Sequence, residues 1–106
     1  MKFTKIKPYG DDAYTCWISG IYKIVSYRKG EYLAFYIPDR YPNWGDYVQP
    51  PPDNSQHGKC WKSLGSARAA CKQHAASHVP SVYTVKRAEA IKKALLEQAH
   101  TYLVAA

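Results

Sequence analysis

Five side chains able to bind a soft metal or act as nucleophile and base fall within one stretch of the chain: His57, Cys60, Cys71, His74 and His78. Cys71, His74 and His78 stand at i, i+3 and i+7, which places them on one face of a helix, and His57-x-x-Cys60 precedes them on a loop. Four ligands could therefore surround a zinc ion. The Cys-x-x-Cys pairs that specify such a centre are absent, and Leu64 and Ala67 continue the same stripe toward a core. A small thiol is a common buried group, and a histidine at a helix end often serves as a cap. The expectation is no metal and no cofactor, with His57, Cys60, Cys71 and His74 as the zinc candidates. A Cys–His nucleophile pair can be drawn from Cys60 and His57 or from Cys71 and His74. Neither pair is accompanied by a nucleophile elbow, a phosphate loop or paired carboxylates, so the chain is expected to be no enzyme, with no catalytic residues.

The second chemistry is charge combined with aromatic surface. Fifteen Lys and Arg stand against eight Asp and Glu, giving +7 and a pI near 9.4. The excess is lopsided. Residues 59 to 106 hold Lys59, Lys62, Arg68, Lys72, Lys86, Arg87, Lys92 and Lys93 but only Glu89 and Glu97. Such a field attracts polyanions, and nucleic acid is the commonest one. Ten Tyr, three Trp and two Phe make the chain 14% aromatic. Tyr27, Tyr32, Tyr36 and Lys23 offer a sheet platform on which unpaired bases could stack, with Lys62, Arg68, Lys72, Lys86, Arg87, Lys92 and Lys93 holding phosphates. Tyrosines are also good strand formers, and lysines keep a solvated helix soluble. A third group, Tyr41, Trp44 and Tyr47, is set among prolines, as aromatic anchors of protein interfaces can be. The competing role for Trp44 is a lid tucked over the sheet.

Positioning these groups requires strands first and helices afterwards. At 106 residues and 12.0 kDa the chain fits a single domain, 1–106, and is too short for a barrel or dinucleotide fold. Residues 2 to 9 suit an edge strand and 13 to 20 an extended stretch. The clearest element is a hairpin over 21 to 37, in which Lys29-Gly30 forms a two-residue turn and Gly30 supplies its positive φ. That turn makes Arg28 face Glu31, Tyr27 face Tyr32, Val25 face Ala34, Ile24 face Phe35, Lys23 face Tyr36 and Tyr22 face Ile37. Tyr22, Ile24, Leu33, Phe35 and Ile37 then form the core face. Lys23, Val25, Tyr27, Tyr32, Ala34 and Tyr36 form the outer one. Residues 38 to 58, with prolines at 50 to 52, form a long loop in which Trp44, Tyr47 and Val48 anchor a short strand. Ser63 caps a helix over 63 to 78, which Pro80 ends. Thr84 caps a second helix over 84 to 103, with Ala88, Ile91, Leu95, Ala99 and Tyr102 as its apolar stripe. The expected architecture is α+β: an antiparallel sheet of three to four strands built on the central hairpin and covered by a C-terminal pair of helices, with the core in 13–79.

The run GIYKIVSYRKGEYLAFYIP, the loop WG and KCWKSLGSARAACKQHA together resemble a loose class of small phage and prophage accessory proteins. There, an aromatic hairpin is followed by a helix ending in Ala-Cys-x-x-His. The resemblance spans roughly residues 17 to 78 and implies a phage origin without an activity or a site. The strand and helix order is also similar to double-stranded-RNA-binding and integrase arm-binding domains, without the N-terminal helix and Lys-rich helix start of the former. The start MKFTKIKPYG has no apolar signal region, no run approaches the ~20 apolar residues of a membrane span, and three cysteines are an odd number. The expectation is a reduced protein of the (host) cytoplasm, not bound to membrane, whose partner is DNA or RNA. The alternative is a host nuclease or defence complex that the protein inhibits. A homodimer burying the tyrosine face is compatible with both.

Overall fold

The computed structural model describes residues 1–6, 15–28, 30–39, 44, 46–48 and 60–105, with the side chains of 27, 28 and 98–105 left aside. The expected positions Tyr41, His57 and the 50–52 prolines lie outside the described residues, as does the Tyr27 side chain. Five strands, β1 (Thr4–Ile6), β2 (Thr15–Ser19), β3 (Tyr22–Arg28), β4 (Glu31–Tyr36) and β5 (Asp46–Tyr47), pair antiparallel in sequence order. Two helices follow, α1 (Leu64–Ser77) and α2 (Val82–Ala105). This is the expected α+β architecture with one more strand than anticipated. The thinnest dimension, 22 Å, is that of two packed layers.

The hairpin turn forms where the sequence places it: Gly30 has φ +78° and Arg28 lies opposite Glu31. Beyond the turn the register differs from the expected one. Between Val25 and Arg28, β3 holds one residue more than β4, so Val25 meets Leu33, Ile24 meets Ala34, Lys23 meets Phe35 and Tyr22 meets Tyr36. A single-residue slip turns every side chain of one strand to the other face. Tyr32, Ala34 and Tyr36 therefore share a face with Tyr22 and Ile24, whereas Leu33 and Phe35 share one with Lys23 and Val25. The expected tyrosine platform is thus divided: Lys23 stands on the opposite side of the sheet from Tyr32 and Tyr36.

Helix α1 covers the face carrying Tyr22, Ile24 and Ala34, and buries Ala67, Ala70 and Cys71 against it. Alanine at the contact positions removes the bulk that would hold helix and sheet apart. Ser63 is the N-cap, its Oγ accepting from the Ser66 N–H at 3.1 Å. On the other face, Ile6, Cys16 and Ile18 pack with Val25, Trp44 and Leu95. Ala88 and Ile91 of α2 join the α1-side cluster while Leu95 joins this second one, so α2 straddles the β1 edge. The outer edge of β4 is closed by β5, by Val48 (N–H to Ala34 O, 2.9 Å) and by a two-way bridge between Tyr32 and Trp61. An edge so covered is no template for aggregation.

The second helix starts earlier than its sequence suggests. Its cap is Ser81, not Thr84: the Thr84 N–H donates to Ser81 Oγ at 3.1 Å. Thr84 is instead fully buried, its hydroxyl donating to Asp39 Oδ1 at 2.6 Å, and the Ser81 N–H reaches the same oxygen at 3.1 Å. Because the Thr84 proton is committed to Asp39, Ser81 Oγ must be the donor in its 3.0 Å contact with Thr84 Oγ1. One carboxylate, three residues beyond the end of β4, thus ties that segment to the first turn of α2.

Ala67 has no exposed surface and belongs to the cluster packed between α1 and the sheet. Ala67→Leu should destabilise by about 1–3 kcal/mol through overpacking. Urea unfolding should show a lower midpoint at an unchanged m-value; an unchanged midpoint would mean that α1 stands further from the sheet.

Candidate functional site

The residues with chemistry to offer collect in two places. The first is where the last turn of α1 lies over the paired ends of β3 and β4. Tyr22 Oη is 2.8 Å from His74 Nδ1, the Tyr36 ring stands 4.4 Å from His74 and 5.4 Å from His78, and the two histidine rings are 4.9 Å apart. The register slip makes this cluster, because it brings Tyr36 opposite Tyr22 beneath α1. Burial, then Cys71 and Tyr36, pushes the Tyr22 hydroxyl up to about 12, so it keeps its proton. Burial, then the neighbouring His78, holds His74 below the ordinary histidine value, which favours a neutral ring. A neutral imidazole and a phenol can exchange roles across the 2.8 Å bond, with either one as donor. Asp39 lies at the same junction; its bonds from Thr84 and Ser81 lower its carboxyl's pKa, and His78 adds to that effect.

The zinc candidates are not assembled among the described residues, where no three His, Cys, Asp or Glu side chains are grouped to hold a metal. Cys60 and Cys71 are both buried, as is Cys16, and none of the three is in a disulfide. Burial pushes the Cys71 thiol up to about 12, which opposes the thiolate that a metal or a nucleophilic mechanism needs. Cys71 is a core residue on the buried side of α1.

The second place is the outer surface of the helices. Helix α1 has no acidic residue, and its exposed side carries Arg68 and Lys72 one turn apart, with Lys62 exposed just before the cap. The Arg68 guanidinium lies 5.8 Å from the Phe3 ring, so the start of the chain runs beside it. Lys5, opposite Trp17, belongs to that same face of the sheet and is exposed. It extends the basic surface across the β1 edge. Counting charge by halves of the chain conceals Lys5; its position two residues after Phe3 on an edge strand is the signal that could have found it.

On α2 the positive charge is partly answered. Lys86, Glu89, Lys93 and Glu97 are all exposed and follow one another at three- and four-residue steps, so signs alternate along one stripe. Arg87 folds over the Tyr83 ring at 4.2 Å, and Lys92 is half-buried. The four α2 cations therefore do not form one uninterrupted basic face.

The aromatic loop residues divide as well. Trp44 Nε1 donates to Ile21 O at 3.1 Å, its ring touches both hydrophobic clusters, and Lys23 Nζ sits 4.9 Å from its centre. It is the lid of the two alternatives and not a free anchor. Tyr47 is exposed but rests on Phe35 at 4.8 Å. A different apolar group is exposed at the helix–helix turn: Val79 is 90% exposed, Val82 72% and Tyr83, beneath Arg87, 66%. No helix among the described residues is long and apolar enough to cross a membrane. No protein-family model, curated protein or solved structure matches the chain.

The depressed pKa of His74 fixes the sign of its effect on stability. The unfolded chain takes up a proton near pH 6.5 while the folded one resists it, so stability is lost as pH falls below 6.5 and levels off under the folded value. Urea midpoints at pH 7.5 and 5.5 should differ in that direction. In His74→Gln the difference should shrink, and an equal difference in the variant would place the acid-sensitive group elsewhere.

Proposed function

We propose that the chain is a small, non-enzymatic accessory protein, of the phage type its hairpin and helix resemble, that binds nucleic acid through the outer side of α1. The observation carrying this reading is the acid-free exposed side of that helix, with Lys62, Arg68 and Lys72, continued by Lys5 on the neighbouring strand. Cations at such a surface displace condensed counterions from a phosphate backbone, which supplies affinity without reading bases. Tyr32 and Tyr36 are half-buried under α1, so stacking on the tyrosines is not part of this reading.

A second reading is a protein partner, such as a nuclease that the chain inhibits. It is favoured by the exposed apolar group Val79, Val82 and Tyr83, the last stacked with Arg87 and next to Lys86. Tyr and Arg are the residue types that most often anchor interfaces.

Fluorescence anisotropy with single-stranded DNA, duplex DNA and duplex RNA at 50 and 200 mM salt separates the two. Phosphate binding should weaken steeply with salt, and the triple variant K62E/R68E/K72E should abolish it or cut the salt slope by about 2–3, at ~0.7–0.9 per lost contact. K86E/K93E should cost less, because Glu89 and Glu97 already offset those lysines. Flat traces for all three probes at 50 mM would refute nucleic-acid binding and leave the protein reading.

A further inference from the structure

Helix α2 uses one side for folding and leaves the other in solvent. Thr84, Ala88, Ile91 and Leu95 pack on the domain, whereas Lys86, Glu89, Ala90, Lys93, Ala94 and Glu97 are exposed on the opposite side. Residues 59 to 106 contain two acidic side chains, and both, Glu89 and Glu97, fall on this stripe beside Lys86 and Lys93. Three large exposed apolar side chains, Val82, Tyr83 and Leu96, border it. From this pattern we propose that the outer side of α2 is a homodimer interface, in which the helix pairs antiparallel with α2 of a second copy of the chain.

The charges are self-complementary in that arrangement. Lys86 and Glu97 are centred on position 91.5, and Glu89 and Lys93 on position 91. The difference is about 0.75 Å on a helix that rises 1.5 Å per residue. One two-fold axis beside Ile91 and Lys92 therefore sets Lys86 of each copy against Glu97 of the other, and Glu89 against Lys93. A parallel pair in register would oppose like charges. Ala90 and Ala94 lie next to the axis, where their small side chains let the two backbones approach. Exposed ion pairs are individually weak, so they select partner and register, while Val82, Tyr83 and Leu96 supply apolar surface to bury. Pairing within one helix accounts for the alternating signs but leaves those three side chains uncovered. A net charge of +7 opposes self-association through an unbalanced surface such as the acid-free α1, and α2 is where the charge is balanced. The tyrosines that a dimer was expected to bury are already packed under α1. Lys62, Arg68 and Lys72 stay outside this interface, which therefore stands apart from the nucleic-acid reading.

The test is sedimentation equilibrium of the full chain at low salt. The mass should rise from 12.0 kDa toward its double as the chain is concentrated from about 10 µM to about 1 mM, the range of a small interface. K86E/K93E makes the stripe all acidic and E89K/E97K makes it all basic, so each alone should stay monomeric. Mixing the two variants one to one should restore the dimer, which a pair of misfolded chains would not do. K62E/R68E/K72E should keep it. Zero-length carbodiimide coupling of the wild-type protein supplies a readout that needs no variant. Lys86 and Glu97 are about 16 Å apart along one helix, so an amide between them reports a second copy. Covalent dimers should carry that linkage. A wild type that stays at 12.0 kDa near 1 mM, a dimer that survives both charge reversals, a variant mixture that stays monomeric, or covalent dimers lacking the Lys86–Glu97 linkage would overturn the interface.

Discussion

One extra residue in β3, between Val25 and Arg28, decides most of what the rest of the molecule can do. Upstream of it the pairing partners of Tyr22, Lys23 and Ile24 all move by one, and the two faces of the sheet exchange half their members. Tyr22, Ile24, Tyr32, Ala34 and Tyr36 become one surface, with Trp17 beside Ile24 on the next strand. That surface is too apolar to be left in water, and α1 lies over it. Burying Ile24 and Ile37 completely is worth roughly 1.5–3 kcal/mol for each side chain, enough to fix which side is covered.

The covering helix is shaped for the task by what it lacks. Ala67 and Ala70 present only methyl groups to the sheet, and the larger contacts come from Leu64 at one end and His74 at the other. A slim helix lying close to a sheet leaves its far side fully solvated, which is where Arg68 and Lys72 stand. The histidines at its C-terminal end are half-buried because the sheet below ends there in tyrosines rather than in aliphatic residues. Their hydroxyl and ring faces can meet an imidazole, which an isoleucine could not do without stranding a polar nitrogen.

Signals written in local chemistry were legible in the sequence. Lys29-Gly30 gave the turn because Gly30 must adopt φ +78°, and Ser63 gave the start of α1 because its Oγ is placed to accept from Ser66. The spacing of Ala67 and Cys71 gave the buried stripe. What was not legible depends on distant partners. Nothing in IYKIVSYR marks where an extra residue will be accommodated, since Ser26 is as acceptable opposite Thr15 as in a regular ladder. Thr84 and Ser81 are equally good caps in isolation. Asp39, 45 residues from Thr84 in the chain, makes the choice by drawing the Thr84 hydroxyl inward. The pairing of His74 with Tyr36 was invisible for the same reason as the register was.

The aromatic content and the positive charge, which the sequence presents together, therefore separate in space and in role. Tyr22, Tyr32 and Tyr36 build the core under α1, and Trp44 closes it from a second direction through its bond to Ile21. The charge stays outside, on a helix whose exposed side presents no described aromatic ring except Phe3 beneath Arg68. A nucleic-acid surface of this kind can hold phosphates but has little with which to stack on a base or read its edge. Discrimination, on the proposed reading, then rests on the spacing of phosphates along a rigid helix. Duplexes, whose backbone geometry is fixed, suit such a surface better than flexible single strands, whose ordering on the helix would cost conformational entropy.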